Sequence, residues 1–207
     1  MNVAEERPEI PLFPLRSVLF PRGRLALQIF ERRYIDLVTA SLRENTGFGI
    51  TLLKSGEEVI RPGARQTLHR TGTYVRIIDW DQLDNGLLGI TVEGIRKFHV
   101  EDCWVADNDL FMARVSYCLH DSVEDERIPV FEDFTGMAEL LQVLEKHPAV
   151  EHLQLQVDHD NLWDLGWRLS ELIPVDLEIR QKLLELDDPW ERMRVIEKTV
   201  IELANET

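Results

Sequence analysis

Residues 72–92, GTYVRIIDWDQLDNGLLGITV, contain the pattern that decides the fold class. Val75 and Ile77 alternate with other side chains before the turn signal Asp84-Asn85-Gly86, and apolar residues alternate again from Leu88 to Val92. Asn and Gly tolerate positive φ at little steric cost, so they favour the tight turn of a β-hairpin. This stretch therefore predicts two antiparallel strands, each with one buried face.

The rest of the first 120 residues adds strands and one helix to the prediction. Residues 48–53 form a short apolar run, and alternating apolar residues over 111–118 indicate another half-buried strand. One apolar stripe with the period of an α-helix lies between them, and no good N-cap residue precedes it. We expect this helix to end with Gly47 in the left-handed conformation. The stripe comprises Phe30, Tyr34, Leu37, Val38 and Leu42.

The pattern changes to a helical period from about Glu126, which predicts a bundle of four helices. The last helix has the clearest start, because Asp188 is a capping residue and Pro189 suits the first turn. Short connections favour antiparallel packing of the last helices. Trp163 and Trp167 lie opposite most of the leucines on their helix, so we expect them to pack against the β domain. The apolar positions that define the four helices are Val130, Phe134, Ala138, Leu141 and Leu144; Leu162, Leu165, Leu169 and Leu172; Ile179, Leu183 and Leu186; and Met193, Ile196, Val200 and Leu203.

Composition and charge exclude several classes of protein. The chain has 207 residues with a formal net charge of −15, and no apolar run approaches the ~20 residues of a membrane-spanning helix. Residues 1–120 contain 15 Lys/Arg against 16 Asp/Glu, whereas residues 121–207 contain 8 against 22. This balance opposes general nucleic-acid binding. With no secretory signal and only two cysteines, Cys103 and Cys118, we expect reduced thiols and a cytoplasmic location.

The sequence carries no complete catalytic or metal-binding motif. The spacing from Gly89 to Gly94 resembles a phosphate loop but lacks the following Lys and Ser/Thr. Cys103 and Cys118 are too far apart for a zinc knuckle, and no serine lies in a nucleophile elbow. We therefore predict no catalytic residue, no metal and no cofactor. A hydrolase with a constellation outside these motifs stays an alternative.

Several blocks, in order along the chain, resemble the N-terminal (substrate-binding) domain of the Lon protease family. Spaced blocks in a fixed order are more specific than any single motif, and these cover most of the chain, most weakly between residues 119 and 160. The blocks are Pro11-Leu12-Phe13-Pro14-Leu15, Val18-Leu19-Phe20-Pro21, Leu27-Gln28-Ile29-Phe30-Glu31-Arg32-Arg33-Tyr34, Phe48-Gly49-Ile50, Gly56-Glu57-Glu58-Val59, Gly72-Thr73, Gly94, Lys97-Phe98, Pro174-Val175, Lys182-Leu183-Leu184-Glu185 and Arg192.

The resemblance implies an α+β fold: a PUA-like mixed β pseudo-barrel with one packed helix over residues 1–120, followed by a helical bundle over residues 121–207. Three positions depart from the family's pattern: Arg22 replaces a frequent Gly, Ala26 a frequent Pro, and Lys97 a frequent Arg. The larger departure is that the ATPase and Ser-Lys peptidase modules of Lon are not in this sequence. We therefore expect a stand-alone bacterial member without the protease's activity.

The leading functional hypothesis is a non-catalytic module that binds unfolded or partner polypeptide segments. Its candidate contact residues, chosen for size and proximity to loops, are Phe20, Trp80, Trp104 and Trp163. RNA binding is the alternative that a PUA-like barrel suggests. The sequence leaves the oligomeric state and the identity of the partner open.

Two further expectations accompany these hypotheses. If RNA binds, a local basic patch of Arg22, Arg24, Arg32 and Arg33 would carry it. We also expect buried apolar side chains between barrel and helix, so that Phe30→Ala would cost about 3–5 kcal/mol of stability. The residues of this seam are Phe13, Leu19, Phe20, Ile29, Phe30 and Tyr34.

Overall fold

A computed structural model describes residues 7–56, 66–118, 127–151 and 157–205. The motif residues Glu57-Glu58-Val59 lie outside these ranges. So do residues 152–156 and residues 119–126, which include the predicted division between residues 120 and 121. The elements in chain order are β1 (Glu9–Leu15), β2 (Arg24–Ile29), α1 (Arg32–Glu44), β3 (Phe48–Ser55), β4 (Thr67–Gln82), β5 (Leu88–Val105), β6 (Phe111–Tyr117), a 3-10 turn (Glu132–Phe134), α2 (Thr135–Glu145), α3 (Pro148–Glu151), α4 (Leu162–Leu172), α5 (Leu177–Glu185) and α6 (Pro189–Asn205).

The six strands form one mixed sheet in the order β2-β5-β4-β3-β1-β6, and an additional β5–β6 pairing closes five of them into a pseudo-barrel. The predicted hairpin is confirmed: β4 and β5 pair antiparallel on either side of a turn in which Gly86 has φ 79°. Both strands are longer than predicted. Strand β5 pairs with β2 along Leu88–Glu93 and with β6 along Phe98–Val105. The first half of this long strand therefore holds the edge strand β2, and its second half closes the barrel through β6.

Helix α1 packs its apolar stripe against the barrel core, as the period predicts, but the stripe is shorter at both ends. Tyr34 stacks on Phe13 with ring centroids 3.8 Å apart. Phe30 precedes the helix and is 58% exposed, and Leu42 is 43% exposed, so neither belongs to the core. The prediction that Phe30 is buried in the seam is therefore wrong. Ile29, the last residue of β2, is buried next to it.

The C-terminal end of α1 differs from the prediction in its capping residue. Asn45, with φ 52° and ψ 40°, adopts the left-handed conformation that we assigned to Gly47. Asn accepts this conformation more readily than most residues. Gly47 is needed for a different reason: a Cβ there would lie 1.9 Å from the carbonyl oxygen of Val75. The glycine thus permits the close approach of the chain to β4.

The helical half follows the predicted periods closely. The Asp176 carboxylate accepts a hydrogen bond from the Ile179 N–H at 2.8 Å, and Asp188 accepts one from the Trp190 N–H at 2.9 Å. The predicted Asp188 cap is therefore confirmed, and Asp176 caps α5 in the same way. Helix α2 starts later than predicted, because residues 129–131 are not helical: Pro129 forms a bridge with Asn161, Phe131 is extended, and a 3-10 turn follows. Trp163 and Trp167 are buried, which confirms their prediction as core residues.

The loop between β1 and β2 joins the barrel to helix α4. The Phe20 ring lies 5.7 Å from that of Trp167. The buried Arg168 guanidinium donates to the Pro21 carbonyl, and Arg22 pairs with the buried Asp164 carboxylate at 3.1 Å. Arg22 has φ 61°, a conformation that glycine adopts without steric cost, so the glycine that the resemblance implies at this position would fit the backbone. Barrel and helices therefore share one interface of packed rings and paired charges.

Candidate functional site

Strand β2 has only one strand neighbour among the described residues. It pairs with β5 from Arg24 to Ile29 and lies at the end of the sheet order. An edge strand directs every second backbone N–H and C=O away from its neighbour, and another extended chain can pair with those groups. The open edge of β2 is the sheet feature with the clearest capacity to bind.

A cleft of about 220 Å³, here named the edge cleft, lies between β2 and the end of β1. Strand β1 contributes residues 13–15, which pair with β3 but extend beyond the β6 pairing that ends at Leu12. Pro14 lacks an N–H and therefore cannot donate a hydrogen bond from this edge. The lining is mainly apolar and includes Phe13, Leu15, Ala26, Leu27, Phe30 and Tyr34.

A second cavity of about 220 Å³, here named the outer groove, lies among β2, β5 and the far end of β4. It shares Ala26, Leu27 and Gln28 with the edge cleft, so β2 borders both. A Cβ at Gly89 would lie 2.8 Å from Leu83 Cδ2, so the glycine permits Leu83 to pack closely over β5. The groove is also lined by Asp79, Trp80 and Asp81.

The structure separates the four candidate contact residues. Trp80 is 61% exposed and lines the outer groove, whereas Trp104 is half-buried on β5 opposite Met112, at the β6 end of that strand. Phe20 and Trp163 are 0% and 3% exposed in the core shared with the helices. Side-chain size does not distinguish a core residue from a contact residue. Phe20 and Trp163 belong to the core, and a partner cannot contact them in this structure.

The residues that line the edge cleft do not stand out in the sequence as a site. Phe30 fits the period of the helical stripe, and the six residues of β2 are too few for a strong strand pattern. The available signal was the alternation of Leu25, Leu27 and Ile29 with Ala26 and Gln28, in which the first set points inward more than the second.

The four arginines of the expected basic patch do not form a free positive surface. Each pairs with a carboxylate: Arg22 with Asp164, Arg24 with Glu93, Arg32 with Asp36, and Arg33 with Glu31. Arg33 is moreover 5% exposed at its side chain. Because phosphate binding depends on accessible cations, this arrangement opposes the RNA-binding alternative.

A polar crevice of about 440 Å³ lies where β4 and β5 meet the α5–α6 connection. Its central cation, Lys97, is 1% exposed, and its Nζ pairs with Asp187 at 2.6 Å and donates to the Leu186 carbonyl at 3.1 Å. Cys118 and His99 also line the crevice. The lysine is thus engaged in holding the helical half, which is a structural role.

The remaining chemistry of the described residues is limited. Cys103 is an exposed residue. Desolvation of its thiol and the adjacent Asp102 carboxylate nevertheless raise the pKa of this thiol, which disfavours the reactive thiolate. Over the described ranges, no group of three or more His, Cys, Asp or Glu residues could hold a metal ion. Within the same ranges, no helix is long and apolar enough to cross a membrane.

The described residues thus combine a mixed pseudo-barrel, a helical half, a strand with one strand neighbour and two adjacent cavities. The chain matches, over residues 9–200, the family described as the ATP-dependent protease La (LON) substrate-binding domain, and it belongs to that family. The resemblance found in the sequence blocks is therefore confirmed, and so is the α+β fold.

The relatives are consistent with this assignment. The chain is 24% identical to a Lon protease of Brevibacillus choshinensis over 94% of its own length, and 26% identical to one of Cytophaga hutchinsonii over 91%. It spans only 26% and 23% of those proteins, about a quarter of their length.

Two solved structures share the fold. A Lon N-terminal domain protein from Xanthomonas campestris superposes with a TM-score of 0.70 at 33% identity, covering 90% of this chain and 95% of that one. The N-terminal domain of the Mycobacterium avium complex Lon protease gives a TM-score of 0.60 at 14% identity, covering 91% and 96%.

Proposed function

We propose that this chain is a non-catalytic module that binds extended polypeptide segments by adding them as a strand to the open edge of β2. The observation that carries the proposal is the edge cleft, where the side of β2 that pairs with no described strand adjoins a mainly apolar lining. Backbone pairing gives affinity for any extended chain, and pockets for alternate side chains give preference among sequences.

Membership of a family described as substrate-binding supports this proposal. The position of Phe30 supports the choice of the edge cleft as the binding surface. Phe30 is 58% exposed at the end of β2, so its ring is available to a guest without any rearrangement of the core. Exposed aromatic rings beside a cleft are common anchors of protein interfaces.

The test uses a fluorescent apolar peptide without charged residues and measures its Kd by anisotropy. Phe30→Ala removes the exposed ring, and Ala26→Lys places a charge on the exposed face of the edge, a device that blocks strand addition. Each change should raise Kd by about tenfold or more, which corresponds to ~1.4 kcal/mol. Circular dichroism should show the native fold in both variants.

Two matched controls separate the site from a general effect. Ile201→Ala truncates an apolar side chain on α6 that is 55% exposed, and Gln142→Lys adds the same charge on the exposed surface of α2. Both should bind the peptide as the unmodified chain does. Equal binding by all five proteins would refute strand addition at β2.

A further inference from the structure

Strand β4 has an open edge of its own, beyond the residues that pair with β3. The pairing with β3 ends at Val75, so the rest of β4 pairs with β5 alone among the described strands. At the turn, the Leu83 N–H donates to the Leu87 carbonyl at 2.9 Å. Every second residue back from Leu83 bonds to β5 in an antiparallel ladder, and the residues between them face the other way. Trp80 and Gln82 therefore direct their backbone groups away from β5.

Two carboxylates occupy these outward N–H groups. Asp79 Oδ1 accepts from the Trp80 N–H at 2.9 Å, and Asp81 Oδ1 accepts from the Gln82 N–H at 2.7 Å. A carboxylate is a stronger acceptor than a peptide carbonyl, because its hydrogen bond is charge-assisted. A guest strand at this edge would have to displace both bonds, and its carbonyl oxygens would then face two negative charges. Both effects oppose strand addition to β4.

The same arrangement recurs where β5 loses its β4 neighbour. The β4–β5 pairing ends at His99, and β5 continues with β6 as its only strand neighbour within the described ranges. The Ala106 N–H donates to the Leu110 carbonyl at 2.8 Å, so the alternation along β5 directs the Cys103 N–H away from β6. Asp102 Oδ1 accepts from that N–H at 3.0 Å. An aspartate directly before an outward N–H therefore occupies the edges of two different strands.

The edge of β2 lacks such an acceptor. The Gly94 N–H donates to the Gly23 carbonyl at 2.9 Å, and the alternation from this pair places the N–H groups of Ala26 and Gln28 on the open side. Across the described part of the chain, no side chain or loop carbonyl accepts from either N–H. Each of these two residues follows a leucine, which has no side-chain acceptor. The β2 edge therefore keeps its donors available to a guest.

We propose that Asp79 and Asp81 are specificity-determining residues, which close the β4 edge so that a polypeptide segment adds to β2 alone. This inference rests on the proposed function and deepens it, because it accounts for the choice between two open edges of one sheet. The two carboxylates need no ligand for this role. Their bonds to the Trp80 and Gln82 N–H groups are sufficient.

The experiment counts bound peptides by titrating the fluorescent apolar peptide at concentrations well above its Kd. Asp79→Ala with Asp81→Ala frees both N–H groups, so the number of peptides bound should rise from one in the unmodified chain to two. Addition of Ala26→Lys, which blocks β2, should return that number to one. Asp79→Asn with Asp81→Asn keeps an oxygen acceptor at each position and should bind one peptide. Circular dichroism should show the native fold in each variant.

Asp84→Ala with Asp107→Ala is the matched control, because it removes two aspartates from exposed turns and changes the net charge equally. This control should bind one peptide. An opened edge also pairs with a second copy of the chain, so a dimer that sedimentation detects only for Asp79→Ala with Asp81→Ala supports the inference as a second peptide does.

Three results would count against these proposals. If Asp79→Ala with Asp81→Ala stays monomeric and binds a single peptide, the closing role of the carboxylates is refuted while binding at β2 stands. If the Asn variant or the turn control gains a second peptide, the backbone bonds are not what closes the edge, and the inference is overturned. If the unmodified chain binds no peptide, the proposed function fails and this inference fails with it.

Discussion

At the scale of single residues, the fold depends on which face of the chain each aromatic ring occupies. Phe30 fits the helical period of residues 34–38, yet it belongs to the extended chain after β2 and faces solvent. If the boundary between a strand and a helix moves by one residue, the side chain at that boundary points to the other face. Periodicity alone does not locate this boundary.

The exposure of Phe30 changes the expected effect of its removal. Phe30→Ala should lower the free energy of unfolding by less than about 0.5 kcal/mol, because little buried surface is lost. Phe48→Ala, at a ring that is 0% exposed, should cost about 3–5 kcal/mol. Urea denaturation measures both, and a large loss for Phe30→Ala would contradict the placement of this ring.

Glu171 provides a prediction about pH. Burial raises the pKa of its carboxyl above the ordinary 4.5, and the Arg168 and Arg180 guanidinium groups offset only part of that effect. The folded state therefore holds this proton more tightly than the unfolded chain, so the carboxyl's stabilising contribution is complete below pH 4.5 and is lost as pH rises through the folded-state pKa.

Glu171→Gln removes this dependence. The free energy of unfolding of the variant, relative to the unmodified chain, should increase as pH is raised from 4.5, when both are followed by urea denaturation. Glu139→Gln, at an exposed carboxyl on α2, serves as the control and should show little change with pH. A difference for Glu171→Gln that falls with pH would contradict the sign of the shift.

At the scale of elements, the sequence predicts those parts that local chemistry determines. Helices α4, α5 and α6 carry strong periods and local capping residues, so their positions follow from nearby side chains. Strands β1 and β2 were not detected from periodicity: β1 contains Pro11 and Pro14, and β2 is only six residues long. Their stability comes from remote partners, which a local pattern does not reveal, and the candidate site depends on these two strands.

Lys97 links strand β5 to the α5–α6 connection, and its contribution can be measured. Lys97→Met should lower the free energy of unfolding by about 2 kcal/mol, because the Asp187 carboxylate loses the Lys97 donor and the Leu186 carbonyl keeps only the Arg192 guanidinium as a side-chain donor. Asp187→Asn should cost less than about 1 kcal/mol, because that side chain is 85% exposed and solvent screens its charge. Chemical denaturation would contradict this assignment if the two losses were equal.

At the scale of the whole molecule, the division that we propose between residues 120 and 121 separates a β-rich half from a helical half, but it does not separate two hydrophobic cores. Val18, Phe20 and Leu52 of the barrel half belong to the same core cluster as Leu162 and Trp167 of the helical half. A core formed by both halves couples their stability, so we expect them to unfold together.

Native-state hydrogen exchange tests this coupling. Phe20→Ala should lower the protection of the slowest amides in β5 and in α4 by the same free energy, about 3–5 kcal/mol. A loss confined to α4, with β5 unchanged, would show that the halves unfold independently. Phe131→Ala, at a ring that is 53% exposed on the helical side, is the control and should leave both sets of amides near their original protection.

The loop that carries Phe20 also limits how this molecule can be recombined with its relatives. Its ring completes the hydrophobic interior of the helical half, and Arg168 and Asp164 of that half bind the backbone of Pro21 and the side chain of Arg22. Consider a chimaera that joins this barrel, cut at residue 120, to the helices of another member of the family. Its loop 18–22 would then pack against helices that have not evolved to fit Phe20, Pro21 and Arg22. A successful transplant would have to move residues 18–22 together with the helices they complete.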